Sequence, residues 1–237
     1  MESVKEIIRN AVSENRTILD VHESRQVLEG LGVPMNRSAL ATTRQEAARA
    51  AAKLGGPVVM KIVSPEVIHK TEVGGVKVNL VGEKQVEEEF DAMVARVKAR
   101  VPGARIRGVV MEEMLRGTEL IIGSSCDPQF GRMLMFGMGG IFVEIYKDVS
   151  FRLVPIGEFD AREMIEEIKG KAILEGARGH PKADKEALVG ILVSISKGLG
   201  KFPEISELDV NPLIVTEKGP VAVDARVIVS GGAHCPK

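Results

Sequence analysis

The chain has 237 residues, of which 44% are hydrophobic and 27% are charged, and its formal net charge is -1 at pH 7. This apolar fraction can bury a sizeable core in one large domain or in two joined lobes, which excludes disorder and collagen-like repetition. The balanced charge and an aromatic content of 3% argue against a nucleic-acid partner.

The two cysteines and the N-terminal segment indicate the cellular compartment of the protein. Cys126 and Cys235 are isolated in the sequence and lack CxxC spacing, so by themselves they form neither a zinc site nor a disulfide framework. We therefore expect a reducing, cytoplasmic setting. Residues 1–17 carry charges every few positions in place of the apolar core of a signal peptide, and no apolar run reaches the ~18 residues of a membrane span. The sequence predicts no membrane partner.

The first half of the chain alternates between helical and strand patterns. Thr43 and Glu46 have the spacing of a capping box, and an alanine-rich run continues that helix to Gly55. The apolar run from 57 to 63 is typical of a buried strand, although Lys61 interrupts it. In chain order, this half is predicted to contain helices at about 3–15 and 22–31, a short strand at 35–41, a helix at 43–54, strands at 57–63 and 76–80, and a helix at 83–100.

The second half begins with strands and ends with a pair of strands after two helices. Strands are predicted at 108–114, 118–124 and 133–136, followed by a β-rich stretch to 154, helices at about 158–168 and 184–199, and closing strands at 207–215 and 221–229. This order indicates an α+β chain with antiparallel sheets, not a doubly wound one. We expect two lobes that face each other across a cleft.

Lys61 and the loop that follows it are candidates for phosphate binding. A lysine in an otherwise apolar strand either extends its amine to solvent or pairs with an anion. Residues 64–75 end in Gly74 and Gly75, and glycines let backbone amides approach a phosphate closely. Ordinary turns also contain such glycine pairs. Lys61 and the glycine pair therefore indicate phosphate binding only in combination.

His69 stands next to Lys70 in the same loop. A neutral imidazole is a competent nucleophile toward phosphorus, and a neighbouring cation would stabilise the transferred group. A loop histidine can equally be a solvated surface residue. A second glycine cluster, at 136–140, contains GxGG but has neither the Rossmann nor the P-loop spacing, so both of those nucleotide motifs are excluded.

Three oxygen-bearing side chains near the C-terminus point to a metal ion. Asp209 and Asn211 are two apart on a predicted strand and therefore share one face, and Asp224 lies in the next apolar strand. If these strands pair as a hairpin, the three side chains converge on a site that suits Mg²⁺. The alternative is that they are edge and turn residues solvated by water.

Together these features resemble an ATP-grasp domain. The closer resemblance is to the β subunit of the two-subunit, NDP-forming acyl-CoA synthetases, which are relatives of succinyl-CoA synthetase. It runs from about residue 21 to 229. The motifs that carry it are GVP at 32–34, PVVMKIVSPEVIHKTEVGGV at 57–76, DPQFG at 127–131, FGMGGIFVEIYKDVSFRL at 136–153, LDVNPL at 208–213 and VDAR at 223–226.

The resemblance implies a fold and a division of the chain. The ATP-grasp fold has two α/β lobes with antiparallel sheets that enclose a nucleotide cleft. On this basis residues 1–20 form an N-terminal helical segment, residues 21–105 form the first lobe with a phosphohistidine loop at 64–75, and residues 106–237 form the second lobe with the magnesium and nucleotide strands.

The resemblance also implies a reaction, in which acyl-CoA, ADP and phosphate are converted reversibly to acid, ATP and CoA. The phosphoryl group passes from an acyl phosphate to a histidine of a partner subunit, then to a histidine of the ATP-grasp subunit, and finally to ADP. The second histidine corresponds to His69, whose loop would have to swing between two sites. The chain would thus be an acid-thiol ligase subunit with Mg²⁺ as its cofactor.

Further site residues follow from matching motifs. The resemblance assigns catalysis to His69 and Asp209, nucleotide binding to Lys61, Lys70, Gly74, Gly75, Glu112, Glu113, Met114, Leu115 and Glu119, and the metal to Asn211 and Asp224. Asp209 replaces the glutamate of succinyl-CoA synthetase with a shorter side chain. Glu144 either orients the incoming phosphohistidine or serves the contact with the partner.

The chain lacks a Rossmann-type CoA-binding segment, so the resemblance requires an α subunit that binds CoA and acetyl-CoA and supplies the first histidine. An α2β2 heterotetramer is what the family suggests. Two alternatives remain from the sequence: an ATP-grasp carboxylate-amine ligase that acts alone, which does not need His69, and a non-catalytic subunit that senses ADP.

Overall fold

The structure is a computed structural model that describes residues 2–67, 69–140, 147–230 and 235, without the side chain of Arg178. The helices are α1 (Glu2–Ser13), α2 (Val21–Gly30), α3 (Arg44–Leu54), α4 (Glu83–Arg100), α5 (Glu158–Glu167), α6 (Lys171–Leu174) and α7 (Lys185–Lys201), with a 3-10 turn at Ala177–Gly179. The strands are β1 (Ser38–Ala41), β2 (Val58–Val63), β3 (Val76–Leu80), β4 (Gly108–Glu113), β5 (Thr118–Asp127), β6 (Gly131–Met138), β7 (Val149–Leu153), β8 (Ile205–Thr216), β9 (Gly219–Ala222) and β10 (Ala225–Val229).

Contacts divide the chain into two compact units, Asn36–Leu115 and the combination of Met1–Met35 with Arg116–Lys237. The predicted lobes 21–105 and 106–237 divide it differently. The difference arises because β4 pairs with both β1 and β2, so residues 108–113 join the smaller unit. Likewise α2 packs on β10, which brings residues 21–30 into the larger unit.

The smaller unit is a four-stranded antiparallel sheet in the order β1-β4-β2-β3, covered by α3 and α4. Thr43 caps α3 as predicted, with its hydroxyl accepting the N–H of Glu46 at 3.2 Å. The Glu46 carboxylate accepts the N–H and hydroxyl of Thr42 in place of the predicted return bond to Thr43. Met60 and Met111 are fully buried and pair across the two central strands, so the core lies on the helix side of the sheet.

The larger unit is a six-stranded antiparallel sheet in the order β10-β8-β5-β6-β7, with β9 paired to β8. Leu208 and Val210 are buried, whereas Asp209 between them and Asn211 beyond are more accessible, which confirms the predicted alternation along β8. The predicted closing strand 221–229 is interrupted, because β9 ends at Ala222 and β10 begins at Ala225. The two antiparallel sheets confirm the predicted α+β class.

The larger unit also contains a covalent cross-link that the sequence analysis did not anticipate. Cys126 and Cys235 are joined by a disulfide, with their Cα atoms 5.6 Å apart across a sequence separation of 109. The expectation of two isolated thiols is therefore wrong. Sequence spacing alone could not reveal this pair, because it depends on how the chain near Cys235 returns to the end of β5.

Among the described helices, none is both long and apolar enough to cross a bilayer.

The cross-link generates a prediction about stability. Replacing Cys126 and Cys235 by serine should destabilise the chain, because closing a loop of about 100 residues restricts the unfolded ensemble by up to about 4.7 kcal/mol in the chain-entropy model. Urea unfolding with and without reductant measures the effect. The double serine variant is the control, because its midpoint should not respond to reductant. An equal midpoint for oxidised and reduced wild-type chain would contradict the prediction.

Candidate functional site

Lys61 extends from β2 on the sheet face opposite to α3 and α4. Its neighbours Met60 and Ile62 point into the core and are fully buried, as strand alternation requires. The Nζ atom of Lys61 lies 3.0 Å from Oε2 of Glu112, and the two side chains are 15% and 1% exposed. The sequence left open whether this lysine extends to solvent or pairs with an anion. In the structure it pairs with an anion, the Glu112 carboxylate of the same chain.

The segment 112–115 was expected to contact a nucleotide base through its backbone. Glu113 binds Arg37 through two bonds of 2.8 Å, to the backbone N–H and to Nε. The Glu113 N–H donates to Arg37 O at 3.0 Å and the Met114 N–H donates to Pro57 O at 3.2 Å. In this conformation these two amides are engaged within the protein and do not face a base.

The loop 64–75 is anchored at its N-terminal end by Glu66. This carboxylate accepts the Arg105 side chain at 2.7 Å, the Arg105 N–H at 3.0 Å and the Ser64 hydroxyl at 2.8 Å. The Arg105 guanidinium, followed by the Arg105 N–H and the Ser64 hydroxyl, lowers the pKa of Glu66 to about 2. The start of the loop is thereby tied to the chain just before β4.

The C-terminal end of the same loop is anchored by two arginines of α4. Arg96 donates to the carbonyl of Gly74 at 2.9 Å, and Arg100 donates to the carbonyl of Glu72 at 3.0 Å. Glu89 holds Arg96 in place at 2.7 Å. The loop therefore has a fixed attachment at both ends.

Close packing explains why glycines end the loop. Gly74 has a φ of 69°, which favours glycine, and a Cβ on Gly75 would lie 2.5 Å from Cγ2 of Ile62. Their amides donate to Thr71 O at 3.0 Å and to Lys70 O at 2.7 Å. In this conformation the two predicted phosphate-binding amides close the loop on itself.

His69 lies between the two anchors of the loop. Its side chain is 75% exposed, and its Nδ1 atom is 3.9 Å from Oε1 of Glu72, which is itself 77% exposed. Lys70 beside it is half-buried. The imidazole is therefore exposed to solvent. A group that reacts with an incoming partner has to be exposed in this way.

The larger unit brings together the three predicted metal-site residues. The Asn211 N–H donates to Asp224 O at 3.2 Å, and Asp209 pairs with Arg226 in the adjacent strand position. Burial raises the pKa of Asp209; the charge of Arg226 opposes this, and the charges of Asp224 and Glu207 add to it. Asp209 on β8 and Asp224 between β9 and β10 therefore repel each other electrostatically.

The donors Asn211 and Asp224, with Asp209 nearby, offer oxygen atoms alone, which is the donor set that a hard cation such as Mg²⁺ prefers. The pKa of Asp209 is raised chiefly by burial, and a cation would offset the smaller contribution to that shift from the repulsion of Asp224 and Glu207. Within the described residues, no group of three or more His, Cys, Asp or Glu side chains is placed to hold a metal. One carboxylate with an amide and waters nevertheless suffices for Mg²⁺.

Glu119 is supported by the second glycine cluster. The Gly139 N–H donates to Glu119 O at 2.8 Å, and Cβ atoms added at Gly139 and Gly140 would lie 3.0 Å and 3.2 Å from atoms of Glu119. Glycines at these positions let the chain pack against the exposed carboxylate that was expected to bind a ribose. Glu144 lies outside the described residues.

Several positioning groups were missed by sequence reasoning. Asp148 is 5% exposed and accepts the N–H groups of Lys169 and Gly170 at 2.6 Å and 2.7 Å, which fixes the start of β7. Arg96 and Arg105 could not be found without knowing the loop contacts. The pairing of Glu112 with Lys61 could have been suspected from the sequence, because each is a charged residue within an apolar strand pattern.

Comparisons with known proteins agree on one family. Residues 10–229 match the model of the ATP-grasp domain. The β subunit of the ADP-forming acetate–CoA ligase I of Pyrococcus furiosus is 44% identical over 226 residues, which is 95% of this chain and 97% of the relative. The ADP-forming acetate–CoA ligase I of Archaeoglobus fulgidus is 43% identical over 229 residues, which is 96% of this chain but 33% of that relative.

Solved structures of the dinucleotide-forming acetyl-coenzyme A synthetase 1 of Ca. Korarchaeum cryptofilum are also similar. One, with coenzyme A, acetyl-coenzyme A and a phosphorylated phosphohistidine segment in the site I orientation, has a TM-score of 0.87 at 41% identity and covers 96% of this chain and 100% of that chain. Another, with coenzyme A and Mg-AMPPCP, has the segment pointing towards the nucleotide binding site; its TM-score is 0.84 at 39% identity, with the same coverage.

The N-terminal loop anchor generates a prediction about pH. Because the folded pKa of Glu66 is lowered to about 2 from 4.5, its pairing stabilises the fold above about pH 4.5 and this contribution is lost as the pH falls toward 2. Glu66→Gln should therefore lower the melting temperature at pH 7, and the difference from wild type should shrink between pH 4.5 and 3. Glu88→Gln, an exposed glutamate of the same unit, is the control. A difference that does not depend on pH would argue against the anchor.

Proposed function

The chain belongs to the ATP-grasp family, and from that membership we propose that it is the nucleotide-binding β subunit of an ADP-forming acyl-CoA synthetase. The subunit transfers a phosphoryl group between its own phosphohistidine and a nucleotide, as one part of the reversible conversion of acyl-CoA, ADP and phosphate to acid, ATP and CoA. Acetyl-CoA is the proposed thioester, in keeping with the Pyrococcus furiosus and Archaeoglobus fulgidus relatives.

The observation that carries the proposal is the exposed His69 on a loop that is anchored at both ends. A stand-alone carboxylate-amine ligase has no use for such a residue. The Ca. Korarchaeum cryptofilum structures, in which a phosphohistidine segment takes two orientations, support the same role for this loop. We propose that the segment between the anchors carries His69 between the phosphohistidine of the partner subunit and the nucleotide.

Phosphoryl transfer to ADP then follows from the side chains present. The imidazole of His69 holds the phosphoryl group through a P–N bond, which breaks as a terminal oxygen of ADP forms the new P–O bond. Lys61 holds the nucleotide phosphates and offsets their charge, with Lys70, Gly74 and Gly75 beside them. Glu119 accepts the ribose hydroxyls, and residues 112–115 bind the base. Asp209 acts next to the phosphohistidine when that group meets the nucleotide.

Asn211 and Asp224 are the proposed ligands of Mg²⁺. An ion held there would neutralise phosphate charge, which is its usual contribution to phosphoryl transfer. The protein's own contribution is to hold these two oxygen donors next to each other, through the bond between the Asn211 amide and the Asp224 carbonyl. Glu144 is proposed as a group that orients the phosphohistidine.

A partner is required by this function. The chain spans nearly the whole of the separate β subunit from Pyrococcus furiosus but about a third of the single-chain Archaeoglobus fulgidus relative. We propose that the remaining functions, CoA binding and the first phosphohistidine, lie on an α subunit, in an α2β2 heterotetramer. A cytoplasmic location fits these substrates, and the disulfide does not oppose it, because intracellular proteins of some hyperthermophiles are rich in disulfides.

The function predicts that His69 becomes phosphorylated. Incubated with ATP and Mg²⁺, the wild-type chain should gain one acid-labile phosphoryl group by intact mass, and His69→Ala should gain none. With the partner present, His69→Ala should also lose ATP formation from acyl-CoA, ADP and phosphate. His22→Ala, an exposed histidine of α2, is the matched control. ATP formation that survives in His69→Ala would favour a stand-alone ligase. A wild-type chain that gains no phosphoryl group would favour an ADP sensor.

The metal assignment predicts a changed dependence on Mg²⁺. Asp224→Asn should raise the Mg²⁺ concentration needed for half-maximal ATP formation by about 10-fold or more, since removing even indirect partners of a metal has that effect. Turnover at saturating Mg²⁺ should recover in part. Glu217→Gln, an exposed carboxylate in the β8–β9 turn, should behave as wild type. An unchanged Mg²⁺ titration for Asp224→Asn would place the metal elsewhere.

A further inference from the structure

The ion pair between Lys61 and Glu112 has a geometry set by the register of two strands. Lys61 lies directly opposite Val110, and Glu112 is two residues further along β4, opposite Val59. Two residues along a strand return to the same face, so both charges lie on the sheet face away from α3 and α4. Their atoms meet at 3.0 Å.

Burial of the carboxylate makes this pair costly to keep. Glu112 is 1% exposed, and a buried carboxylate without a cation would be strongly destabilised. Apolar residues of similar size would stabilise the same position at least as well. Stability alone therefore does not account for an acid here, whereas a need to hold the ammonium in one direction does.

Lys61 keeps 15% of its side chain exposed, and its ammonium contacts one carboxylate oxygen of Glu112 at 3.0 Å. The adjacent Glu113 is turned away and binds Arg37 at 2.8 Å, so the two neighbouring acids serve different cations. In the proposed function this ammonium also contacts the nucleotide phosphates, so its direction decides how well it meets them.

We propose that Glu112 is a positioning residue that orients the ammonium of Lys61 for the nucleotide phosphates. This inference rests on the proposed function and deepens it. It gives the Glu112 side chain a function of its own, through Lys61, beside the base contact expected from the backbone of residues 112–115. The lysine chain is flexible, with a rotamer-rich stem, and the carboxylate restricts it to one direction before the nucleotide arrives.

The two possible functions of Glu112 have different kinetic signatures. As a negative charge near the bound polyanion, Glu112 weakens nucleotide attraction, so Glu112→Gln should leave the KM for ADP unchanged or lower it. Lost orientation should lower kcat by about 10- to 100-fold, because small misplacements of a catalytic contact have effects of this size. A purely structural function would instead reduce the folded fraction while kcat and KM per folded molecule stay constant.

A double-mutant cycle in the complex with the partner subunit tests the inference. The variants are Glu112→Gln, Lys61→Met and the double variant, with rates normalised to the folded fraction. If Glu112 acts through Lys61, the double variant should be no slower than Lys61→Met alone. Glu112→Asp should retain more activity than Glu112→Gln. Glu23→Gln, which breaks a half-buried pair at 2.8 Å in the larger unit, should leave kcat and KM unchanged.

The outcomes separate this inference from the function on which it rests. Multiplicative losses in the double variant, or a normal kcat in Glu112→Gln, would overturn the positioning function while leaving the proposed function intact. A wild-type complex that forms no phosphohistidine and no ATP would overturn the proposed function itself. Should Glu112→Gln fail to fold, the cycle is run with Glu112→Asp, whose shorter side chain should lower kcat by a smaller factor that does not add to the loss in Lys61→Met. Multiplicative losses or an unchanged kcat in Glu112→Asp would then overturn the positioning function.

Discussion

Fixed arginine contacts at both ends of residues 64–75 are the constraint on which the proposed movement of His69 depends. Glu66 and Arg105 hold one end of the loop, and Arg96 holds the carbonyl of Gly74 at the other. A carrier that moves between two reactions must return to the same place, so its attachments have to be firmer than the segment between them. Surface ion pairs are individually weak, but here they act on backbone groups and on a carboxylate with three donors, which limits the conformations of the loop ends.

Each compact unit also keeps charges in a sheet where apolar residues would be less costly. In the smaller unit these are Lys61 and Glu112, and in the larger unit they include Asp209, whose pKa is raised chiefly by burial. Phosphoryl transfer needs little covalent help from the protein but much electrostatic preparation. Charges that are already desolvated and held by neighbouring strands supply that preparation without reorganisation when the nucleotide binds.

Local patterns predicted the elements well, whereas contacts between distant segments could not be predicted. The stripe of apolar residues gave the helix at 184–199, found at Lys185–Lys201, and alternation placed Asp209 and Asn211 on one face of β8. The partner of Glu112 depends on the register of β2 and β4, which lie about fifty residues apart in sequence. The disulfide depends on a return of the chain from the C-terminus, and the interruption before Ala225 depends on how Asn211 meets Asp224.

The discontinuous larger unit has a consequence for the order in which the chain folds. Backbone bonds join Leu19 to Val227 and Val229 to Thr17, so α1 and α2 dock on a strand that is synthesised about 200 residues later. The smaller unit, Asn36–Leu115, is a continuous stretch whose contacts are all present once it has left the ribosome. The nascent chain can therefore complete residues 36–115 first, and the amphipathic helices α1 and α2 remain without their sheet until β10 has been made.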